Sequence, residues 1–345
     1  TTEYLRLASE LEKEDPNQSI SYILDAIKVY RKAGEYQKAI DLYKKIAQKK
    51  EKIEEVYTAY KSAWTMADSL LNDYEQSKAL RNKFIEQYPT SNQAYFQRLE
   101  IIDMYRSGPF KDSDKAVEMY LDLAQKADEI DTGSDTEESI FLNAIRVYQE
   151  NNQDDKFIDL VYQFAEKYPK NDKVEGLLFK VADIYDKRND VEAMISFEKK
   201  YPNHPASNSL LKKVAYIYHK NNEKGKYEDI ARYLYKKDPS IDLLSEIAAK
   251  KLKKIKTEID SLFQAQKYDE MFTRIEEFNN TEQEYENEGM TFDLEGFHKR
   301  FDYYKNYVDF HKRFDEVIAQ AEEDFFNKSA GQLIRVNELT TWKKH

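Results

Sequence analysis

The sequence predicts an all-α fold built from paired amphipathic helices. Its 345 residues include only eight glycines and seven prolines, while 34% are charged and 41% are hydrophobic. This composition is typical of helical proteins rather than disordered or β-rich ones. Apolar residues recur at the i, i+3, i+4 and i+7 spacing of one helix face. The clearest example is residues 137–169, where a polar break separates two such stripes and Pro169 follows the second. We predict a helical hairpin there, because a helix does not run easily into a proline.

The N-terminal region, residues 1–16, is predicted to be a single capping helix. Its apolar residues would share one side of the helix; they are Tyr4, Leu7, Ala8 and Leu11. We expect Pro16 to end this helix. Asn17 or Ser19 is then expected to cap the next one.

Residues 17–240 are predicted to be an array of about six helical hairpins. Two hairpins share their internal spacing, because Tyr30 precedes Ala39 by nine residues and Tyr148 precedes Phe157 by nine residues. Shared offsets over a helix–turn–helix unit indicate an internal repeat. Prolines that follow the second helices recur at compatible intervals; they are Pro89, Pro169, Pro202 and Pro239.

These hairpins resemble tetratricopeptide repeats, which are helix–turn–helix units of about 34 residues. In residues 20–50 the positions that carry the resemblance are Ala26, Tyr30, Gly34, Tyr36, Ala39 and Tyr43. Ile27 stands where the family usually has a small residue, and Glu51 stands where a proline is usual. The resemblance implies a right-handed α–α superhelix in which the first helix of each hairpin lines a concave groove.

The junctions between hairpins resemble those of a narrower group. Tyr-Pro pairs end three hairpins at Pro89, Pro169 and Pro202, as in tetratricopeptide scaffold proteins of the Gram-negative cell envelope. Examples are the lipoprotein of the outer-membrane barrel-assembly machinery and the Tol–Pal coordinator. This likeness covers roughly residues 17–239 and implies a periplasmic or outer-membrane-associated protein, with a cytoplasmic location as the alternative. Because the sequence begins at Thr1 and not with Met, a lipid anchor on a preceding segment is compatible with it.

Residues 241–345 are predicted to be a divergent helical module that caps the array. No proline follows Pro239, and the apolar spacing changes. Long helices are expected at residues 241–265, 268–288 and 294–326, with a short tail to Trp342.

The third of these helices is unusually aromatic, with Phe297, Phe301, Tyr303, Tyr304, Tyr307, Phe310 and Phe314. One interpretation is that these rings form the core of a helix pair. The other is that they form a docking face for another chain. Because Tyr303 and Tyr307 lie off the stripe of Phe297, Phe301 and Tyr304, we expect them to be the exposed members.

No catalytic, cofactor-binding or metal-binding residues are predicted. The sequence has no cysteine, and no two of its histidines lie at metal-ligand spacing. It has no glycine-rich phosphate loop and no nucleophile elbow. We therefore expect a protein that is not an enzyme and needs no cofactor. An enzyme with an unrecognised site is the alternative.

The acidic loop at residues 128–135 has two interpretations. Its alternating oxygen ligands suit calcium, but it lacks the full twelve-residue loop and its terminal glutamate. A solvated connection is the favoured interpretation. Asp135 or Thr136 would then cap the next helix.

The net charge of −11 argues against nucleic acid as a partner, because phosphate binding needs a positive excess. No run of about 18 apolar residues occurs, so no membrane span is predicted.

A protein or peptide is the predicted partner. The binding residues are expected one step off the core stripe of each first helix; they are Leu24, Lys28, Arg31, Leu142, Arg146, Phe179, Lys212, Tyr216 and His219. Apolar and aromatic side chains beside arginine and lysine suit an extended or helical segment of acidic character. The alternative is that these side chains pack between neighbouring hairpins. Because Leu24 and Leu142 stand where polar donors would be needed, no clamp for a peptide's terminal carboxylate is expected.

The predicted function is that of a non-enzymatic scaffold or adaptor, which binds a partner segment in the concave groove. If the narrower likeness holds, the complex belongs to the cell envelope. The alternative is a structural subunit of a large assembly, which packs its helical faces without using a peptide groove. The sequence does not fix the oligomeric state.

Overall fold

The computed structural model of the protein describes residues 1–327, with side chains as far as residue 323. Every regular element in this part of the chain is a helix, so the predicted all-α fold is confirmed. The chain divides into two compact units, Thr1–Ile184 and Tyr185–His345. The predicted tail to Trp342 lies outside the described residues.

The N-terminal unit is a succession of helices in which each one from α1 to α8 packs against the next. The helices are α1 (Thr2–Glu10), α2 (Pro16–Lys32), α3 (Tyr36–Lys49), α4 (Ile53–Met66), α5 (Tyr74–Gln87), α6 (Asn92–Arg106), α7 (Ser113–Gln125), α8 (Glu137–Glu150), α9 (Asp154–Lys167) and the first part of α10 (Val174–Arg188). A π-helical turn, Ala67–Leu71, extends α4. Paired, sequential packing of this kind agrees with the predicted helical repeat.

Pro16 has a different place from the one predicted. The helix α1 ends at Glu10, and Pro16 is the first residue of α2 rather than the stop of α1. Asp15 is the cap, accepting from the backbone N–H of Gln18 at 3.0 Å. Proline suits the first helical position, because the N–H that it lacks would have no partner there. Ser19, one of the two expected caps, instead donates to the carbonyl of Ala8 at 2.6 Å and ties α1 to α2.

The turns between the two helices of each hairpin share a positive-φ residue. Five of the seven are closed by a hydrogen bond to the carbonyl five residues earlier, whereas the α4–α5 and α6–α7 turns are closed across six and seven residues. A residue with positive φ stands two positions before each second helix; these residues are Gly34, Asn72, Lys111, Asn152, Asn189, Asn222 and Gln266. In the α8–α9 turn, the N–H that follows Asn152 donates to the carbonyl of Tyr148 at 3.0 Å. In the α2–α3 turn, the N–H that follows Gly34 donates to Tyr30 at 2.9 Å. Glycine and asparagine adopt this left-handed backbone at low cost, which explains their preference here.

The junctions between hairpins are also uniform. Each Tyr-Pro tyrosine places its ring 5.0–5.4 Å from the phenylalanine four residues earlier; the pairs are Tyr88 with Phe84, Tyr168 with Phe164, and Tyr201 with Phe197. The preceding helices end at Gln87, Lys167 and Lys200, directly before these tyrosines. The predicted helix stops are therefore confirmed.

As far as residue 327, the C-terminal unit contains the rest of α10 and six further helices. They are α11 (Val191–Lys200), α12 (Pro205–Lys220), α13 (Lys224–Lys237), α14 (Leu244–Gln264), α15 (Tyr268–Asn287) and α16 (Glu295–Asn327). From α11 onward each helix packs against the next. The bounds of α14, α15 and α16 agree with the predicted ones to within three residues.

The turn of the array recurs in α14–α15, within the predicted C-terminal module. The N–H of Lys267 donates to the carbonyl of Leu262 at 3.0 Å, and Gln266 has the positive φ. Met271 and Ile275 follow Leu262 by nine and thirteen residues, as in the array, and both are buried. The repeat pattern of this hairpin is hard to recognise in the sequence, because Leu262 stands where a tyrosine is usual and Gln266 stands where glycine or asparagine is usual.

The aromatic helix α16 supplies core to the C-terminal unit. Phe301 and Tyr304 are buried among residues of α14 and α15. The ring of Tyr304 stacks on Phe263 at 3.9 Å, and its hydroxyl donates to Asp260 at 2.8 Å. The first half of α16 is therefore held by α14 through ring packing and a polar contact.

A partly buried polar cluster joins α13, α14 and α15. Tyr285 is fully buried, and its hydroxyl donates to Glu228 at 2.8 Å. Arg232 donates to the same carboxylate at 2.7 Å and lies over the ring of Tyr285 at 4.7 Å, while Lys251 of α14 is 3.6 Å from Glu228. Burial and the bond to Glu228 raise the pKa of Tyr285. Burial alone would raise the pKa of Glu228, but the hydrogen bonds from Arg232 and Tyr285 hold that pKa below its ordinary value.

Candidate functional site

Four first helices of the N-terminal unit, α4, α6, α8 and α10, stand side by side and are linked by polar contacts. Gln93 of α6 donates to Glu54 of α4 at 2.6 Å. Arg106 of α6 donates twice to Glu150 of α8, at 2.9 and 3.0 Å. A further bond, Lys180 to Gln149 at 2.9 Å, joins α10 to α8. Equivalent positions on α4, α6, α8 and α10 therefore lie along a common surface, which we call the first-helix face.

Apolar side chains recur at one register position of this face. In each hairpin, this position lies six residues before the residue whose carbonyl accepts the turn-closing hydrogen bond. It is occupied by Leu24, Lys61, Leu99, Leu142 and Phe179, all apolar except Lys61. Leu24 is 39% exposed and Phe179 is 43% exposed. Leu142, which was also predicted to bind a partner, is half-buried. Phe179 is therefore an accessible apolar anchor on this face, and Leu24 is an accessible apolar side chain at the equivalent register position of α2.

The cations that were predicted on the first helices α2 and α8 are all exposed: Lys28, Arg31 and Arg146. Lys28 pairs with Asp25 at 2.8 Å, which raises the pKa of Lys28 through the hydrogen bond and the charge of that carboxylate. Arg146 donates to the side-chain oxygen of Asn143 at 3.0 Å, a neutral partner. Its positive charge is therefore open to an incoming acidic group.

Sequence reasoning missed a further apolar residue of the same unit. Phe96 on α6 is 52% exposed, the most exposed phenylalanine of the N-terminal unit's described residues, and its ring lies 5.6 Å from Tyr95. The repeat register of α6 could have found it. That register was obscured by the longer turn through Gly108 and Phe110, which shifts the spacing between α6 and α7.

The predicted residues of the C-terminal unit fall on two helices. On α12, Lys212 and His219 are exposed, and Tyr216 is 61% exposed. The ring of His219 lies 5.0 Å from Tyr227 on α13. Lys212, Tyr216 and His219 occupy the same three repeat positions on α12 that Leu24, Lys28 and Arg31 occupy on α2.

On α16, the expectation for one of two tyrosines needs correction. Tyr303 is 59% exposed, as expected. Tyr307 is half-buried, because its ring packs edge-on against Phe263 at 5.3 Å. Among the side chains of α16 that the structure describes, the large apolar ones exposed beyond Tyr303 are instead Phe310 and Val317, at seven-residue intervals.

The acidic loop is fixed by contacts within the protein. Asp135 accepts from the hydroxyl of Tyr95 at 2.5 Å, and Asp131 accepts from the N–H of Gly133 at 3.2 Å. Thr136 caps α8 through reciprocal bonds with Ser139, which confirms one of the two predicted caps. Among residues 1–327, no group of three or more acidic or histidine side chains is placed to hold a metal ion.

None of the described helices combines the length and the apolar character that crossing a membrane requires.

Comparison with known proteins adds no family. No protein-family model matches the sequence, and no curated protein matches it either. The structure defines the class of the protein, which is an all-α helical-repeat protein whose hairpins pack in sequence.

Proposed function

We propose that this protein is a non-enzymatic scaffold that binds a peptide or helical segment of a partner protein along the first-helix face. The observation that carries the proposal is the row of bridged first helices α4, α6, α8 and α10, with Phe179 exposed on α10 and Leu24 exposed at the equivalent register position of α2. Accessible apolar anchors on a rigid surface suit a partner's side chains, because they lose water on binding without costly rearrangement.

The partner segment is acidic and amphipathic. Arg31 is exposed on the same helix as Leu24, and Arg146 is exposed on α8, the helix that Lys180 joins to α10; Arg146 is next to a neutral amide rather than a carboxylate. Such cations steer an acidic partner toward the face and suppress basic ones. An extended or helical segment would place apolar residues on Leu24 and Phe179.

A location in the periplasm or at the outer membrane is part of the proposal. It is supported by the Tyr-Pro junctions, which resemble those of tetratricopeptide scaffold proteins of the Gram-negative envelope. Fractionation of the source cells checks it: recovery with the periplasm or outer membrane agrees with the proposal, and recovery with the cytoplasm contradicts it.

A second candidate function is a structural subunit of a large assembly. It is favoured by α16, where Tyr303, Phe310 and Val317 are exposed at seven-residue intervals, a spacing that suits packing against another helix. Size-exclusion chromatography with light scattering distinguishes the two. A monomer supports the scaffold, and a stable multimer supports the subunit.

Affinity capture from native lysate, followed by calorimetry with the acidic segment of the captured partner, tests the scaffold. Phe179→Ala and Arg146→Glu are each expected to weaken binding by about tenfold or more, which corresponds to about 1.4 kcal/mol. The matched control is Lys83→Glu, the same charge reversal at an exposed lysine of the second helix α5. Unchanged affinity in Arg146→Glu, or an equal loss in Lys83→Glu, would contradict a specific role for the first-helix face.

A further inference from the structure

A cleft of about 410 Å³ lies among α5, α6 and α7 of the N-terminal unit. Its innermost wall consists of Ile101, Ile102 and Leu123, which are all buried. Ile85 and Met119 form half-buried side walls. The volume lies in the range of small-molecule sites, which are mostly apolar with a few polar groups that orient the ligand.

Arg98 lines this cleft at a register position that other hairpins give to core residues. The equivalent residues are Ile23, Tyr60, Phe141, Leu178, Leu211 and Ile255. The Nη1 atom of Arg98 is buried and has no hydrogen-bond acceptor among the described residues. A buried donor without an acceptor is costly, and the cost is larger when the group is charged. Burial also lowers the pKa of Arg98, although Asp122 acts in the opposite direction.

The other charged groups around the cleft already have partners. Lys115 contacts Glu118 at 2.8 Å, and Lys78 contacts Glu75 at 2.7 Å. Asp122 contacts Lys126 at 2.7 Å. Within residues 1–327, Arg98 is therefore the cation of this cleft that has no carboxylate at ion-pair distance.

We propose that the cleft binds a small monoanionic carboxylate with an apolar body. The planar guanidinium of Arg98 matches the two oxygens of a carboxylate and would supply the missing acceptor for Nη1. The apolar body would contact Leu123 and Met119. Because Glu118 and Asp122 also line the cleft, a ligand with several negative charges is disfavoured. This site is separate from the first-helix face, and it stands or falls independently of the scaffold function.

Octanoate is a suitable probe, and calorimetry at low ionic strength is the measurement. We expect saturable binding of one octanoate per chain. Octanol, which has the same apolar chain without the charge, should bind at least tenfold more weakly. Inorganic phosphate, which has the charge without the chain, should also bind at least tenfold more weakly.

Three variants locate the site. Arg98→Leu should bind octanoate at least tenfold more weakly. Leucine is the residue that α10 and α12 have at this register position. Met119→Trp, which fills the cleft and keeps Arg98, should also bind octanoate at least tenfold more weakly. Arg106→Leu on the same helix removes a cation that contacts Glu150 outside the cleft, and its octanoate affinity should not change. Circular dichroism confirms that each variant is folded.

Octanoate should also raise the melting temperature of the unmodified protein and of Arg106→Leu, but not that of Arg98→Leu, because a ligand that binds only the folded state stabilises it. Four results would overturn the proposal: no saturable octanoate binding, equal affinity for octanol, equal affinity for phosphate, or full affinity in folded Arg98→Leu.

Discussion

The hairpins α8–α9 and α14–α15 share a backbone turn but differ in almost everything around it. In both, an N–H donates at 3.0 Å to the carbonyl five residues earlier, from Gln153 to Tyr148 and from Lys267 to Leu262. The helices of the first hairpin have 14 residues each, whereas those of the second have 21 and 20. The comparison teaches that the turn and the buried register define the repeat unit, while helix length is free to vary.

The two hairpins also bury different chemistry. The α8–α9 pair is held by apolar packing, with Phe141 and Phe164 at 5.4 Å. The α14–α15 pair also contributes Tyr285 of α15 to a polar cluster, in which Tyr285 and Arg232 share Glu228 of the preceding helix α13. A buried polar group is tolerated only when its partners are in place. The second hairpin is therefore more sensitive to single polar substitutions.

The largest expected effect comes from one register position that both hairpins fill with phenylalanine. Phe164 and Phe278 each lie sixteen residues after the carbonyl that closes the turn, and both are fully buried. Phe164→Ala and Phe278→Ala should each cost about 3–5 kcal/mol of unfolding free energy, since each leaves a large cavity. Urea denaturation measures the loss. A loss below about 1 kcal/mol at only one of the two positions would show that the hairpins are not equivalent.

A smaller effect is expected at the polar cluster. Glu228→Gln removes a charged acceptor for Tyr285 and Arg232, and should cost about 1–3 kcal/mol. Asn143→Ala on α8 is the comparison, since that side chain accepts one bond from exposed Arg146 and should cost less. Equal losses in the two variants, measured by urea denaturation, would contradict the distinction between the hairpins.

The same carboxylate gives the C-terminal unit a pH dependence. The pKa of Glu228 in the folded state is below its ordinary value of 4.5, so its contribution is present above that pH and is lost as the pH falls through the lower, folded-state pKa. Unfolding free energies between pH 6 and pH 3 should fall less steeply in Glu228→Gln than in the unmodified protein. If the unfolding free energies of the two proteins fell equally with pH, Glu228 would not be a source of this pH dependence.

The smallest effect is expected in the turn itself. Gln266 has φ of 58° and Asn152 has φ of 53°, but asparagine tolerates this backbone better than glutamine. Gln266→Asn should therefore stabilise the protein, and Asn152→Gln should destabilise it, each by less than about 1 kcal/mol. Thermal unfolding of the two variants gives opposite shifts if the turns are equivalent. Shifts of the same sign would contradict their equivalence.

Much of the fold could be predicted, because helical periodicity and Tyr-Pro stops are local. The apolar spacing placed α14, α15 and α16 to within three residues. Prediction from the sequence failed where a residue type can occupy more than one structural position, or where an unusual residue occupies a turn. The rule that proline ends a helix places Pro16 at a helix end, although it begins α2. Gln266 is not a usual turn residue, so the sequence does not indicate the turn that it forms.

The candidate site was less predictable, because exposure depends on neighbouring helices. The register placed Leu24, Phe179 and Tyr216 correctly at exposed positions. It could not show that Phe263 would reach Tyr307, or that Leu142 would be half-covered. It also gave no indication that Arg98 would leave a buried nitrogen without an acceptor, which only the packing of α5, α6 and α7 reveals.

The central claim is that one repeated turn organises both units and sets the register of the exposed residues. NMR measurement of the φ angle at Gln266, together with amide exchange at Lys267, tests it most directly. The account predicts a positive φ at Gln266 and slow exchange of the Lys267 amide, matching Asn152 and Gln153. A negative φ at Gln266, or a Lys267 amide that exchanges as fast as an unbonded one, would contradict it.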